Sequence, residues 1–110
     1  MKQQIIAEIN QCLKPFDFYK GMYIDTENIA IIAITVDPHE DDESQEDPPF
    51  MAVTFFPLLC DLEIMEGVKV MLRNETHSLC YEDILNQMGQ AIFRLDRGRL
   101  DGNYSLEVRE

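Results

Sequence analysis

Residues 37–49, Asp-Pro-His-Glu-Asp-Asp-Glu-Ser-Gln-Glu-Asp-Pro-Pro, hold seven carboxylates and no Lys or Arg. Like charges at that density repel, and Pro38, Pro48 and Pro49 each withhold a backbone donor, so neither a packed strand nor a stable helix is expected there. The flanking segments are apolar and β-prone: Ile29-Ala-Ile-Ile-Ala-Ile-Thr-Val36 before, and Phe50-Met-Ala-Val-Thr-Phe-Phe56 after. Two neighbouring strands, paired antiparallel and joined by a long acidic loop over 37–49, are therefore expected. The first has apolar groups at both parities and reads as a central strand covered on both faces.

The rest of the chain follows from periodicity. Ile5, Ile6, Ile9, Cys12 and Leu13 fall on one face at helical spacing over residues 2–14, and Pro15 stops that helix. Residues 18–24 read as a strand, 25–28 as a turn, and 68–73 as a strand followed by a polar loop to Ser78. Residues 57–66 fit a helical face (Leu58, Leu59, Leu62, Met65) and a strand (Cys60, Leu62, Ile64) about equally, and the strand is preferred. A second helix is expected from about 81 to 95, because Tyr81, Ile84, Leu85, Met88, Ile92 and Leu95 recur at helical spacing. Glu82 and Asp83 sit at its start and Arg94 and Arg97 near its end, which complements a helix dipole. Asp101-Gly102 is a hairpin-turn dipeptide, and Tyr104, Leu106 and Val108 alternate with polar residues as a strand with one wet face.

This order predicts an α+β fold in a single domain over 1–110. An antiparallel sheet of four to six strands would carry the N-terminal helix and the 81–95 helix on one face. In that order of elements, the chain resembles the type III secretion chaperone-like fold. The resemblance is carried by the Ile5–Leu13 helix, the strands at 18–36 and 50–56, and the Asp83-Ile-Leu-Asn86 segment leading into Arg99–Val108. It departs from that fold in lacking the final helix and in carrying the acidic insertion. The resemblance implies a dimer that binds a partly unfolded partner.

A net charge of −12 excludes direct binding to nucleic acid or an anionic membrane, since both need cationic groups that displace counterions. Cys12, Cys60 and Cys80 are odd in number and set in apolar surroundings, which predicts buried, reduced thiols. With no apolar stretch long enough to span a bilayer and no secretory signature, a cytoplasmic location is expected.

The candidate chemical motifs are incomplete. A calcium loop starting at Asp37 needs Gly sixth and Glu twelfth, where this chain has Asp42 and Pro48. His77-x-x-Cys80 has zinc-ligand spacing, and Cys60, Cys12 or His39 could complete a site, but one short pair falls short of the usual two. Nucleophile elbows and phosphate-binding glycine loops are absent. No cofactor, metal or catalytic activity is expected. Phe16, Phe18, Tyr19 and Tyr23 read as core in preference to a surface anchor. Arg94, Arg97 and Arg99 form the one basic concentration; they could hold the acidic loop, but a solvated helix end is preferred.

What remains is a small acidic interaction module (adaptor, regulator or chaperone-like) that binds a basic protein surface and can form a homodimer. Its predicted partner-binding residues are Glu40, Asp41, Asp42, Glu43, Glu46 and Asp47. The alternative is a mimic of nucleic acid that occupies another protein's DNA- or RNA-binding groove. Against it, the charge lies in one segment rather than on a stiff frame with duplex spacing.

Overall fold

The computed structural model describes residues 1–37 and 48–110, which form one helix and two antiparallel four-stranded sheets. Helix α1 spans Lys2–Cys12. The strands are β1 (Phe16–Asp17), β2 (Met22–Asp25), β3 (Ile29–Val36), β4 (Phe50–Pro57), β5 (Lys69–Asn74), β6 (Leu79–Ile84), β7 (Gln90–Arg94) and β8 (Asn103–Arg109). The first sheet runs β1-β8-β5-β6 and the second β2-β3-β4-β7. As expected, β3 and β4 pair antiparallel, in unbroken register from Ile29 with Pro57 to Val36 with Phe50.

Inward-facing residues of both sheets share one core. The second sheet supplies Ile29, Ile31, Ala33, Met51, Val53, Phe55, Ala91 and Phe93, and the first supplies Val70, Leu72, Tyr104, Leu106 and Val108. Each Val, Leu, Ile, Met or Phe side chain among them contributes about 1.5–3 kcal/mol by leaving water. Helix α1 joins the same core through Ile5, Ile6 and Ile9. It does so beside the open edge of β8, where the two-residue β1 stops pairing after Tyr104 and Asn103. There the Asn10 side chain stands in for a strand: its amide donates to the Val108 carbonyl (2.8 Å) and its oxygen accepts from the Val108 N–H (2.9 Å). An exposed row of backbone groups is thereby satisfied.

The structure corrects several expectations. One sheet of four to six strands becomes two, because the strand expected at 18–24 is broken by a turn. The Asp17 carbonyl accepts from the Lys20 and Gly21 N–H groups, and Gly21 takes a left-handed φ of 67°. A Cβ there would lie 2.5 Å from the Ala33 carbonyl oxygen, so only glycine lets the chain cross from one sheet to the other at this point.

The second helix over 81–95 is absent. That segment is β6, a turn, and β7. The supposed inner face splits: Leu85 and Leu95 are buried, while Ile84, Met88 and Ile92 are exposed. The winning pattern is the alternation Ala91, Phe93, Leu95, together with turn chemistry at Asn86. The Asn86 side-chain oxygen accepts from the Met88 and Gln90 N–H groups, and Gly89 takes φ 77° with its site for a Cβ 2.9 Å from the Phe55 carbonyl oxygen. These local bonds offer the backbone an alternative to the helix.

Residues 57–66 are not a strand beyond Pro57. Leu58 and Leu59 are exposed, their N–H groups donating to the Asn28 carbonyl, and Leu62–Met65 is a single 3-10 turn that buries Met65. The cysteines are not buried either: Cys12 and Cys60 are half-buried and Cys80 is exposed, all three as free thiols. Burial pushes the Cys60 thiol up, with Asp61 adding to the effect. Strand β3 is central but not covered on both faces, for Ile34 is 51% exposed. The expected acidic loop falls mostly on residues 38–47, outside the described residues.

Candidate partner-binding face

The two outer faces of this sandwich differ in chemistry. On the β1-β8-β5-β6 sheet, the outward residues of β5 are Lys69, Met71 and Arg73, set in register with Ile84, Glu82 and Cys80 on one side and Arg109, Glu107 and Ser105 on the other. They neutralise one another. Arg73 binds Glu107 at 2.8 Å, Arg109 binds the same carboxylate at 2.8 Å, and Lys69 lies 3.6 Å from Glu82. Hydrogen bonds from Arg73 and then Arg109 hold the Glu107 carboxyl below its usual range.

The β2-β3-β4-β7 sheet turns an apolar face outward. Register places Ile34, Ala52 and Ile92 in one cross-strand row, Tyr23, Ile32, Thr54 and Gln90 in the next, and Asp25, Ala30 and Phe56 in a third. Tyr23 is 63% exposed, Phe56 48% and Ile92 42%. Isolated exposed apolar residues need no explanation, but a contiguous set on one sheet face calls for one. The alternating pattern of β4 sends Met51, Val53 and Phe55 inward, so Ala52, Thr54 and Phe56 must face out. Sequence reasoning took these residues as ordinary strand or helix core. The available signal was that β3 is apolar at both parities, more than one buried face needs.

Of the aromatic group, Phe16 and Phe18 are core, as expected, whereas Tyr19 and Tyr23 are exposed. Tyr19 and Tyr23 border a surface groove of about 420 Å³ along β2 and β3, floored in part by Gly21, Ile32 and Ile34.

The predicted residues Glu40, Asp41, Asp42, Glu43, Glu46 and Asp47 lie outside the described residues. The shoulders of that run are described. Asp37 takes an ion pair from Arg97 at 3.1 Å, and the Pro49 carbonyl accepts from the Leu95 N–H at 2.8 Å. Both ends of the acidic run are thus anchored on Leu95–Arg97, beside the Val36–Phe50 end of the apolar face. The preferred reading of Arg97 as a solvated helix end is corrected: the helix over 81–95 is not there, Arg97 opens a short 3-10 turn over Arg97–Arg99, and its guanidinium holds the first carboxylate of the run.

The zinc-spaced pair is used otherwise. His77 Nε2 lies 2.6 Å from Asp101 Oδ1, and that hydrogen bond holds the Asp101 carboxyl below its usual range. Behind it, the fully buried Asn74 donates to the Asp101 carbonyl at 3.0 Å and accepts from the His77 N–H at 3.3 Å. This network braces the loop before β8. Among the described residues no three His, Cys, Asp or Glu side chains converge in a way that would hold a metal ion, and no helix is long and apolar enough to cross a membrane. Comparison of the chain with protein-family models, with curated proteins and with solved structures finds no match.

Proposed function

We propose that this protein is a non-enzymatic interaction module that engages a basic protein partner through the outer face of β2-β3-β4-β7, aided by the acidic run tethered at one end of that face. The observation that carries this reading is the contiguous apolar face of Tyr23, Ile32, Ile34, Phe56 and Ile92 on a chain of net charge −12. Apolar contact supplies the binding free energy, while carboxylates at Glu40, Asp41, Asp42, Glu43, Glu46 and Asp47 raise the encounter rate with cationic surfaces and discriminate against anionic ones. A second copy is the less favoured occupant, since two such chains repel.

The test is capture of basic proteins by the intact chain, by an Ile34→Lys, Phe56→Glu variant and by a chain lacking residues 39–47. Capture should be lost in the face variant and become weaker and less salt-sensitive in the deletion. Equal capture by all three removes the proposal. Displacement of the captured proteins by competing DNA or RNA would instead favour mimicry of nucleic acid.

A further inference from the structure

We infer that the outer face of β2-β3-β4-β7 is a seat for a single amphipathic α-helix of the basic partner, laid along β4. This deepens the interaction function proposed above and rests on it. The argument is one of relief. The outward residues at the middle of β4 are the small Ala52 and Thr54. Register sets Ile34 and Ile32 of β3 on one side of them and Ile92 and Gln90 of β7 on the other. Ala52 between the exposed Ile34 and Ile92 makes a hollow, and in the next row the Gln90 amide reaches in to donate to the Thr54 hydroxyl at 3.4 Å, so the trough is deepest at Ala52. The backbones of the wall strands are two spacings apart, about 9.5 Å, so a helix of roughly 10 Å diameter rests on the Ile34 and Ile92 side chains with its apolar stripe above Ala52.

The ends of the trough are set by Phe50 and Phe56, the first and last outward aromatics of β4. Six residues of strand span about 20 Å, which matches a helix of about 13 residues. Such a helix meets the floor with an apolar stripe at the i, i+3, i+4, i+7 spacing. Charge defines its flanks. Asp25 faces outward on β2 in the row of Phe56, and Asp83 lies at the β7 edge, where its carboxylate accepts from the Ile92 N–H at 2.9 Å. Carboxylates therefore border the trough on both long sides, with Arg94 the cation at the Phe50 end. Lys or Arg on both shoulders of the incoming helix complements that arrangement.

A second copy fits less well. Three strand spacings by about 20 Å give a face of about 300 Å², against about 800 Å² per partner in a stable protein–protein interface. A short helix needs no more than the face offers.

The probe is a synthetic peptide of about 14 residues, Leu on one helical stripe and Lys elsewhere, titrated into the isotopically labelled full chain. The peptide should gain helicity on binding, and amide shifts should centre on residues 32–34, 52–54 and 90–92. Ala52→Trp fills the floor and should weaken binding by about tenfold or more; Ile34→Lys, on the exposed wall, should do the same if the tryptophan disturbs the fold. Binding without helix formation overturns the inference, as do shifts confined to residues 38–47 that neither variant changes; both outcomes leave the basic-partner reading standing. No binding of this peptide or of an unstructured Lys-rich peptide of equal charge removes both.

Discussion

Two buried phenols show how hydrogen bonding decides the worth of a single hydroxyl. Tyr104 is fully buried and donates to the Arg99 carbonyl at 3.3 Å. The Tyr81 hydroxyl is also out of water, and although the Asp96 backbone acts on it electrostatically, no group among the described residues meets hydrogen-bond geometry with it. Burial pushes both phenols up. Tyr104→Phe should cost about 0.5–1.5 kcal/mol in chemical denaturation, while Tyr81→Phe should be neutral or stabilising by up to about 1 kcal/mol, since it removes an unsatisfied polar atom. A second residue-scale expectation concerns Glu107, whose folded carboxyl titrates below its unfolded value because of Arg73 and Arg109. Its stabilising effect is present above the ordinary carboxylate range and is lost as pH falls through the folded value. Thermal melts of Glu107→Gln should accordingly show a flatter loss of stability than the parent as pH falls from about 5 towards 3.

At the scale of the element, the turn that carries the chain from β6 in one sheet to β7 in the other rests on Asn86 and Gly89. A side chain at Gly89 meets both a left-handed φ and the Phe55 carbonyl oxygen, so Gly89→Ala should destabilise by about 1–3 kcal/mol in equilibrium unfolding. This strand–turn–strand segment is also where sequence reading failed. The residues of 81–95 satisfy a helical period through Ile84, Leu85, Met88 and Ile92 and a strand period through Ala91, Phe93 and Leu95. Intrinsic propensity is too weak to choose between them. The choice falls to tertiary pairing: β7 completes an edge of β4 from Phe50 to Thr54, and β6 pairs the whole of β5. By contrast α1, β3, β4, β5 and β8 were legible, because Pro15, the acidic run and Asp101-Gly102 bound segments that are either singly periodic or, for β3, a continuous apolar run rich in β-branched residues.

For the molecule as a whole, the acidic run is held at its shoulders, Asp37 by Arg97 and Pro49 by Leu95. Removing residues 39–47 deletes six carboxylates, leaves the Val36–Phe50 register pair in place, and shortens the β3–β4 connection. Loop-closure entropy changes slowly with length, and the loss of like charge relieves repulsion. The deletion should therefore melt within a few degrees of the parent by calorimetry; collapse of the fold would show that the run packs as part of the structure. Ile34→Lys and Phe56→Glu should likewise alter stability by no more than about 0.5 kcal/mol each, as surface substitutions do, while abolishing partner capture.

Local chemistry alone determined the charge, the punctuation and the elements with one clear period. Repulsion among carboxylates, the missing N–H of proline and a single apolar stripe act within a few residues. The division into two sheets, the replacement of the second helix by one strand in each sheet, and the outward turn of one apolar face came only with the tertiary structure. Each depends on which strand edge or carbonyl a residue meets from far along the chain. Ala52 illustrates the limit: its apolar character is plain in the sequence, but that it floors an open trough follows only from Ile34 and Ile92 standing in register on either side.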